Sequence, residues 1–159
     1  MAFGALSVKG RALRYLAQRE HSRLELERKL ARTVADLPDA PAAQQIARAL
    51  DELEARGLLS NARVAESLLR NQGERFGARR LKQTMLAKGL DAELVARTLT
   101  LARGTELERA HEVWRRRFGA PAADAAGRAK QMRFLAGRGF DGDVIRRVVA
   151  GAGDASDAD

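Results

Sequence analysis

Residues 75–91 read RFGARRLKQTMLAKGLD, and residues 117–141 read RFGAPAADAAGRAKQMRFLAGRGFD. Both stretches open with the same four letters and close with a basic residue, glycine, an apolar residue and aspartate. Glycine beside a cation suits a helix end, because glycine adopts positive φ cheaply and the cation complements the helix dipole. The same short pattern ends a helix at residues 56–58, so one match carries little weight. Two matches in the same order predict a repeated helical unit of roughly 45–50 residues.

Apolar residues on both sides of these stretches recur with helical spacing, and none of the chain alternates with period two. The pattern predicts an all-α fold of three tandem three-helix repeats. Their predicted bounds are 1–59, 60–104 and 105–150, followed by a disordered acidic tail over 151–159.

Caps and inward stripes define the first repeat. Ser22 and Glu25 have the spacing of a capping box, and His21 just before them is expected to be solvated. Gly57 is expected to end the third helix with positive φ. The predicted inward stripes are Leu6, Leu13, Leu16 and Ala17, then Leu26, Leu30, Val34 and Leu37, then Ile46, Ala49, Leu50 and Leu53.

The other two repeats follow the same scheme. Gly77, Gly89, Gly119 and Gly139 are predicted to end helices, and Thr105 with Glu108 to form a second capping box. Inward residues of the second repeat are Val64, Ala65, Leu68, Leu69, Phe76, Leu81, Met85, Leu94, Val95, Thr98 and Leu99. Those of the third are Leu107, Ala110, Val113, Trp114, Phe118, Ala129, Met132, Leu135, Val144, Ile145, Val148 and Val149.

Composition argues against catalysis and against a membrane protein. The 159 residues include no cysteine and two histidines, His21 and His111, which lie far apart and outside any metal-ligand spacing. No nucleotide-binding glycine loop or nucleophile motif is present. The expected protein is therefore not an enzyme, has no cofactor or metal and, since no apolar run approaches about 18 residues, is cytoplasmic.

Charge points to an anionic partner. The formal net charge is +8, with 29 basic and 21 acidic residues. By segment it is +5 over 1–35, −3 over 36–60, +5 over 61–104, +4 over 105–150 and −3 over 151–159. This arrangement predicts a functional basic surface, because arginine forks pair with phosphate or carboxylate. The candidate binding residues are Arg75, Arg79, Arg80, Lys82, Lys88, Arg115, Arg116, Arg117, Lys130, Arg133 and Arg138.

The run of residues 53–67, LEARGLLSNARVAES, resembles the signature of the RecX family, and its continuation through residues 75–90 does as well. Residues 22–30 resemble the first repeat of that family, and residues 134–140 resemble the third. Asn61 stands where the family usually has Asp, and Val64 where it usually has Phe. The resemblance covers about residues 8–150.

This resemblance implies a regulator of the RecA recombinase with three helical repeats in an elongated, curved arrangement. Such a protein would lie in the groove of the RecA–DNA filament across neighbouring protomers. There it would inhibit ATP hydrolysis, strand exchange and coprotease activity. The expected partners are the RecA filament and, more weakly or through the filament, single- or double-stranded DNA, with the chain itself a monomer.

Two other functions remain open on the residues alone. One is a DNA-binding protein whose helical repeats contact a duplex or a strand directly, since arginine clusters serve both kinds of partner. The other is a scaffold without effect on any enzyme. Base stacking is not supported, because the aromatic residues fall mostly on apolar stripes.

Overall fold

The computed structural model describes residues 5–154, and α-helices account for most of this range. The helices are α1 Val8–Gln18, α2 Arg23–Ala31, α3 Ala42–Ala55, α4 Asn61–Gln72, α5 Ala78–Ala87, α6 Ala92–Gly104, α7 Glu106–Arg117, α8 Ala125–Gly137 and α9 Gly142–Asp154. No β-strand occurs in the described residues, and Leu37 with Ala40 forms an isolated bridge before α3. The all-α prediction is confirmed.

These helices group into two compact units. Unit 1 comprises residues up to Ser67 together with Ala87–Leu90, and unit 2 comprises Leu68–Leu86 together with residues from Asp91 onward. The boundary falls inside the second predicted repeat, so units and repeats differ in extent. The division into three repeats stays a prediction.

In unit 1, the core lies among α1, α2 and α3. Leu26, Leu30, Leu50 and Leu53 are fully buried, which confirms the central stripes of α2 and α3. The predicted face of α1 is wrong except at Leu16, which packs against the core. Its inner residues are Val8, Ala12, Tyr15 and Leu16, whereas Leu6, Leu13 and Ala17 are exposed. Ala12 has no exposed surface, so a small residue of α1 lies in the core, and the predicted stripe did not include it.

The stripe of α2 is shorter than predicted. The backbone N–H groups of Thr33 and Val34 both donate to the carbonyl of Leu30, which closes the helix before the proline-containing turn. Val34 still packs against the core, but Leu37 is 56% exposed.

In unit 2, a core forms among α7, α8 and α9 around Trp114, Leu135, Phe140 and Ile145. A buried polar pair lies beside it. The indole Nε1–H of Trp114 donates to Gln131 Oε1 at 2.9 Å, and Gln131 Nε2 donates to the Ala120 carbonyl at 3.1 Å. Burial of a polar group requires such partners, and the sequence pattern did not reveal Gln131 as an interior residue.

One junction occurs in both units. In unit 1, the N–H of Arg23, the first residue of α2, donates to Oδ1 of Asn61, the first residue of α4. In unit 2, the N–H of Ala78, the first residue of α5, donates to Oε1 of Glu106, the first residue of α7.

At each junction a glycine lies so close to the facing helix that a larger residue would clash with it. A Cβ on Gly89, which follows α5, would lie 2.6 Å from Leu24 on α2, and a Cβ on Gly139, which follows α8, would lie 2.6 Å from Arg80 on α5. The second helix of the first predicted repeat, α2, thus begins beside α4 of the second repeat, and α5 of the second repeat begins beside α7 of the third. Contacts of this kind join parts of two predicted repeats in one unit, which is why the unit boundary falls inside the second repeat.

The glycines predicted to end helices have two different roles in the structure. Gly57, Gly89, Gly119 and Gly139 have positive φ at helix ends, as predicted. Gly77 is different, and its predicted role as a helix end is wrong: α4 already ends at Gln72, and the φ of Gly77 is not positive. A Cβ on Gly77 would lie 2.4 Å from the carbonyl oxygen of Gly139, so the glycine permits close backbone packing.

The two predicted capping boxes also differ. The Ser22 hydroxyl accepts from the Glu25 N–H, as expected, while the Glu25 carboxylate pairs with Arg19 and Lys88. The box at Thr105 is wrong, because its hydroxyl makes no side-chain cap. That hydroxyl donates to the Ala102 carbonyl instead.

His21 is buried rather than solvated, with 1% of its surface exposed. Nδ1 lies 3.0 Å from the Arg19 carbonyl oxygen and Nε2 lies 3.0 Å from Lys29 Nζ. A carbonyl oxygen can only accept a hydrogen bond and an ammonium can only donate one. We therefore place the proton on Nδ1, which donates to the Arg19 carbonyl, and Nε2 accepts from Lys29. Burial lowers the pKa of His21, and the nearby cations Arg19 and Lys29 lower it further.

Helix α9 extends beyond the predicted end of the third repeat at residue 150, so the prediction of a disordered tail is wrong for residues 151–154. Its last residue is Asp154, and residues 155–159 of the predicted acidic tail lie outside the described residues.

Candidate functional site

Half of the twelve basic residues of unit 1 pair with acidic residues of the same unit. Lys9 Nζ lies 2.7 Å from Glu52, and Arg23 Nη1 lies 2.7 Å from Asp51 and 3.0 Å from Glu54. Further pairs join Arg19 to Glu25, Arg63 to Glu20 and Arg56 to Glu52. The acidic segment 36–60 thus neutralises part of the first basic segment within unit 1.

Lys88, a predicted binding residue, belongs to this paired set. Its ammonium donates to the Glu25 carboxylate, and both side chains are partly buried. Burial alone would raise the pKa of Glu25, but the hydrogen bonds from Lys88 and Arg19 outweigh it and lower the pKa. Lys88 therefore has a structural partner already.

Unit 2 carries the principal candidate site, a groove of about 410 Å³. Its lining residues are Glu74, Arg75, Val113, Arg116, Arg117, Phe134 and Arg138, and we call it the arginine groove. Four of the predicted binding residues meet here from three segments: the turn after α4, the C-terminal half of α7 and the end of α8 with the residue after it. The convergence of three segments was not foreseen from the sequence.

Arg109 on α7 holds the turn that carries Arg75. Its Nη1 donates to the carbonyls of Gly73 and Phe76, each at 2.6 Å, and Nη2 donates to the carbonyl of Ala102 at 2.7 Å. Burial lowers the pKa of Arg109. The guanidinium stays protonated all the same, because its ordinary pKa is above about 12.

Backbone contacts hold Arg138 against the same turn. The Gly77 N–H donates to the Arg138 carbonyl at 2.9 Å, and the Arg79 N–H donates to the Gly139 carbonyl at 3.2 Å. The start of α5 and the turn after α8 are therefore fixed to each other, and Arg138 is placed with them.

Phenylalanine rings orient the guanidinium groups. Arg80 Cζ lies 3.8 Å from the centroid of the Phe76 ring, and Arg138 Cζ lies 5.6 Å from it. Arg138 and Arg117 also approach the Phe134 ring, at 5.2 and 5.7 Å. Such cation–π contacts limit the rotamer freedom of the arginines before any partner binds.

The groove carries a net positive charge because most of its arginines form no ion pair with a carboxylate. In residues 5–151, no carboxylate lies within ion-pair distance of the lining residues Arg75, Arg117 and Arg138, or of Arg80, which does not line the groove. Arg116 shares Glu112 with its neighbour Arg115, and hydrogen bonding to Arg115 lowers the pKa of Glu112 to about 2. The groove is therefore a local excess of positive charge.

Other predicted binding residues lie outside the groove. Arg79 and Lys82 line a second pocket of about 460 Å³ with Arg103, and Arg79 pairs with Asp141 at 3.1 Å. Lys130 and Arg133 are exposed on α8 and do not line the groove.

Two site-building residues escaped the sequence prediction, Arg109 and its neighbour Glu106. Glu106 is 3% exposed and accepts the N–H groups of both Ala78 and Asp141 on Oε1. A signal was present, because positions 106, 109, 110 and 113 fall on one face of α7 with the apolar stripe.

Neither a metal site nor a membrane span was found in the part of the chain that the structure describes. No cluster of three or more His, Asp or Glu side chains there could hold a metal ion. None of the helices over residues 5–154 combines the length and the apolarity needed to cross a bilayer.

Fold and site together define an all-helical protein with a cationic groove on one unit. The family model for the third three-helix domain of RecX matches residues 105–149. The chain is 53% identical to the regulatory protein RecX of Leptothrix cholodnii over 144 residues, which is 91% of this chain and 88% of the relative. It is 42% identical to that of Chromobacterium violaceum over 97% and 96% of the two chains.

A solved structure has the same fold. The crystal structure of RecX from Lactobacillus salivarius superposes with a TM-score of 0.74 at 21% identity, covering 92% of this chain and 94% of that one. The chain belongs to the RecX family of regulatory proteins.

Proposed function

We propose that this chain regulates the RecA recombinase. It binds in the groove of the RecA–DNA filament across neighbouring protomers and inhibits ATP hydrolysis, strand exchange and coprotease activity. Membership of a family of regulatory proteins supports a regulatory role. The observation that supports the choice of surface is the arginine groove, in which Arg75, Arg117 and Arg138 have no carboxylate partner in the described residues and only Arg116 is paired, with Glu112.

The binding residues in this proposal are the clustered cations of unit 2. Arg75, Arg80, Arg117 and Arg138 contribute most, because no internal ion pair has to be broken before they contact a partner. Arg79 and Arg115 contribute less, since each must leave Asp141 or Glu112.

Three linked helical repeats suit a periodic target. Once one repeat is bound, the next encounters its site at an effective concentration in the millimolar range, which multiplies affinity by roughly 10² to 10⁴. A filament offers such repeated sites, and a free protomer does not. Inhibition then requires tighter binding to one filament state than to the state that hydrolysis or extension needs.

The test is the DNA-dependent ATPase of RecA on single-stranded DNA. Substoichiometric addition of the chain is expected to depress the rate. A variant with Arg75→Glu and Arg117→Glu is expected to lose this effect. The matched control, Arg97→Glu with Arg128→Glu, removes the same charge at exposed positions outside the groove and should retain inhibition. An unchanged ATPase rate at equimolar chain would exclude the proposal.

A second function, direct DNA binding, is favoured by the same unpaired arginines, which could contact phosphates. Binding of the chain to bare DNA, to free RecA and to preassembled filament separates the two. A DNA-binding protein shows a slope of about −0.9 per neutralised phosphate in a plot of log affinity against log salt, with bare DNA bound as well as filament. The regulator is expected to prefer the filament over both separate components.

A further inference from the structure

We propose that the arginine groove binds an acidic segment of a protein in which an aliphatic or aromatic side chain stands among aspartates or glutamates. This inference rests on the proposed function, because it assigns a protein component of the filament, rather than its DNA, to this groove. The partner is defined by two features of the lining, its cations and its apolar floor.

Two of the lining residues, Val113 and Phe134, are apolar, and we call them the apolar floor of the groove. Both also pack against the core of unit 2, which fixes their position. A phosphodiester backbone gains little from such a surface. A leucine or phenylalanine side chain of a peptide gains the free energy of leaving water when it covers that surface.

The Phe134 ring, which lines the groove, and the Phe76 ring, which does not, are both occupied by neighbouring side chains and are not free for nucleotide bases. Phe134 meets Phe118 edge to face at a centroid distance of 5.3 Å, and Arg117 and Arg138 lie near its face. Phe76 is covered by Arg80. Base stacking, which supports binding of single strands to aromatic side chains, would have to displace these guanidinium groups first.

The distribution of charge favours carboxylates spaced along a peptide. Glu74 lies among the lining residues and repels a continuous row of phosphates at that point. Arg75, Arg117 and Arg138 line the groove together with Val113 and Phe134, and each arginine can form a bidentate pair with one carboxylate. An apolar side chain flanked by acidic ones matches this pattern.

The experiment measures fluorescence anisotropy of short labelled probes with the full chain, in the absence of RecA. The probes are a peptide of alternating aspartate and leucine, an all-aspartate peptide of equal length, and an oligothymidylate. The alternating peptide is expected to bind at least about tenfold more tightly than the all-aspartate peptide, which corresponds to about 1.4 kcal/mol.

Variants locate the binding. Arg138→Gln and Arg75→Gln are each expected to weaken the alternating peptide by about tenfold, the loss of one charge-assisted pair. Arg75 is exposed and makes no ring contact, so its replacement tests the groove without disturbing the fold. Arg97→Gln, with the same loss of charge on α6, should leave the affinity unchanged.

Two results would overturn the inference. One is equal affinity for both peptides, which would remove the role of the floor. The other is an oligothymidylate that binds more tightly than either peptide and depends on Arg75 and Arg138. The peptide assay contains no RecA, so neither of these results decides the ATPase test of the proposed function. Conversely, a failed ATPase test would not decide whether the groove binds the peptide.

Discussion

Arg109 offers the most direct test of how the arginine groove is held together. Its guanidinium is the shared donor for the carbonyls of Gly73, Phe76 and Ala102, at 2.6, 2.6 and 2.7 Å. Arg109→Met keeps most of the aliphatic stem and removes these three hydrogen bonds, together with a fourth from Nε to the exposed Thr105 hydroxyl. The turn that carries Arg75 then loses its connection to α7.

The expected cost follows from these bonds. A hydrogen bond to a charged group contributes about 1.5–3 kcal/mol net, which sets an upper limit near three times that value. Two effects reduce it. Arg109 is only partly buried, so water reaches some of the freed carbonyls, and removal of the cation also removes the desolvation cost that lowers its pKa. We expect the free energy of unfolding to fall by about 3–4 kcal/mol.

Urea denaturation followed by tryptophan fluorescence measures this change, because the chain has one tryptophan, Trp114, in the core of unit 2. Arg128→Met, an exposed position on α8, serves as the control and should change stability by less than about 0.5 kcal/mol. A loss below about 1 kcal/mol for Arg109→Met, with an unchanged denaturant slope, would refute the assigned role.

Three further predictions concern stability. In Gly57→Ala the new Cβ meets open space, so positive φ alone should lower the free energy of unfolding by about 1–2 kcal/mol. Gly139→Ala has the same positive φ but also places Cβ 2.6 Å from Arg80, so its loss should be clearly larger. Equal losses of stability in thermal unfolding would contradict the packing role of Gly139. Because the pKa of His21 lies below its ordinary 6.5, the unfolded chain takes up the proton first, so stability is full above pH 6.5 and falls as pH drops toward the folded pKa. His21→Gln should therefore flatten the plot of unfolding free energy against pH between about pH 7 and about pH 5. His111→Gln, at an exposed position, is the control. The same slope of this plot in both variants would contradict the prediction. Gln131→Met leaves the Trp114 indole N–H and the Ala120 carbonyl without partners, and urea unfolding should show a loss of about 1–3 kcal/mol; no loss would mean that water replaces the amide.

The sequence revealed local features of the fold well. Helix spacing placed the buried leucines of α3, and Gly57, Gly89, Gly119 and Gly139 have the positive φ expected at helix ends. These features depend on neighbours within a few residues. Periodicity and cap chemistry therefore suffice to predict them.

Features set by distant contacts could not be predicted in this way. Gly77 has the same sequence context as Gly119, yet its role is contact with Gly139, more than sixty residues later. His21 precedes an N-cap, a position that suggests solvent, but Tyr15 and Lys29 enclose it. For the site, the sequence identified the cations of the arginine groove, and only the structure brought Arg75, Arg117 and Arg138 together.

The same argument changes how the net charge should be interpreted. A value of +8 treats every arginine alike, although Arg23 is bound to three carboxylates within unit 1 and Arg138 in unit 2 is bound to none in the described residues. Beyond a Debye length of about 8 Å at physiological salt, distant charges contribute little to the field at a binding surface. Affinity for an anionic partner is then governed by the unpaired cations near the contact. Substituting Arg23 perturbs the ion pairs of unit 1, whereas substituting Arg138 changes the surface that a partner meets.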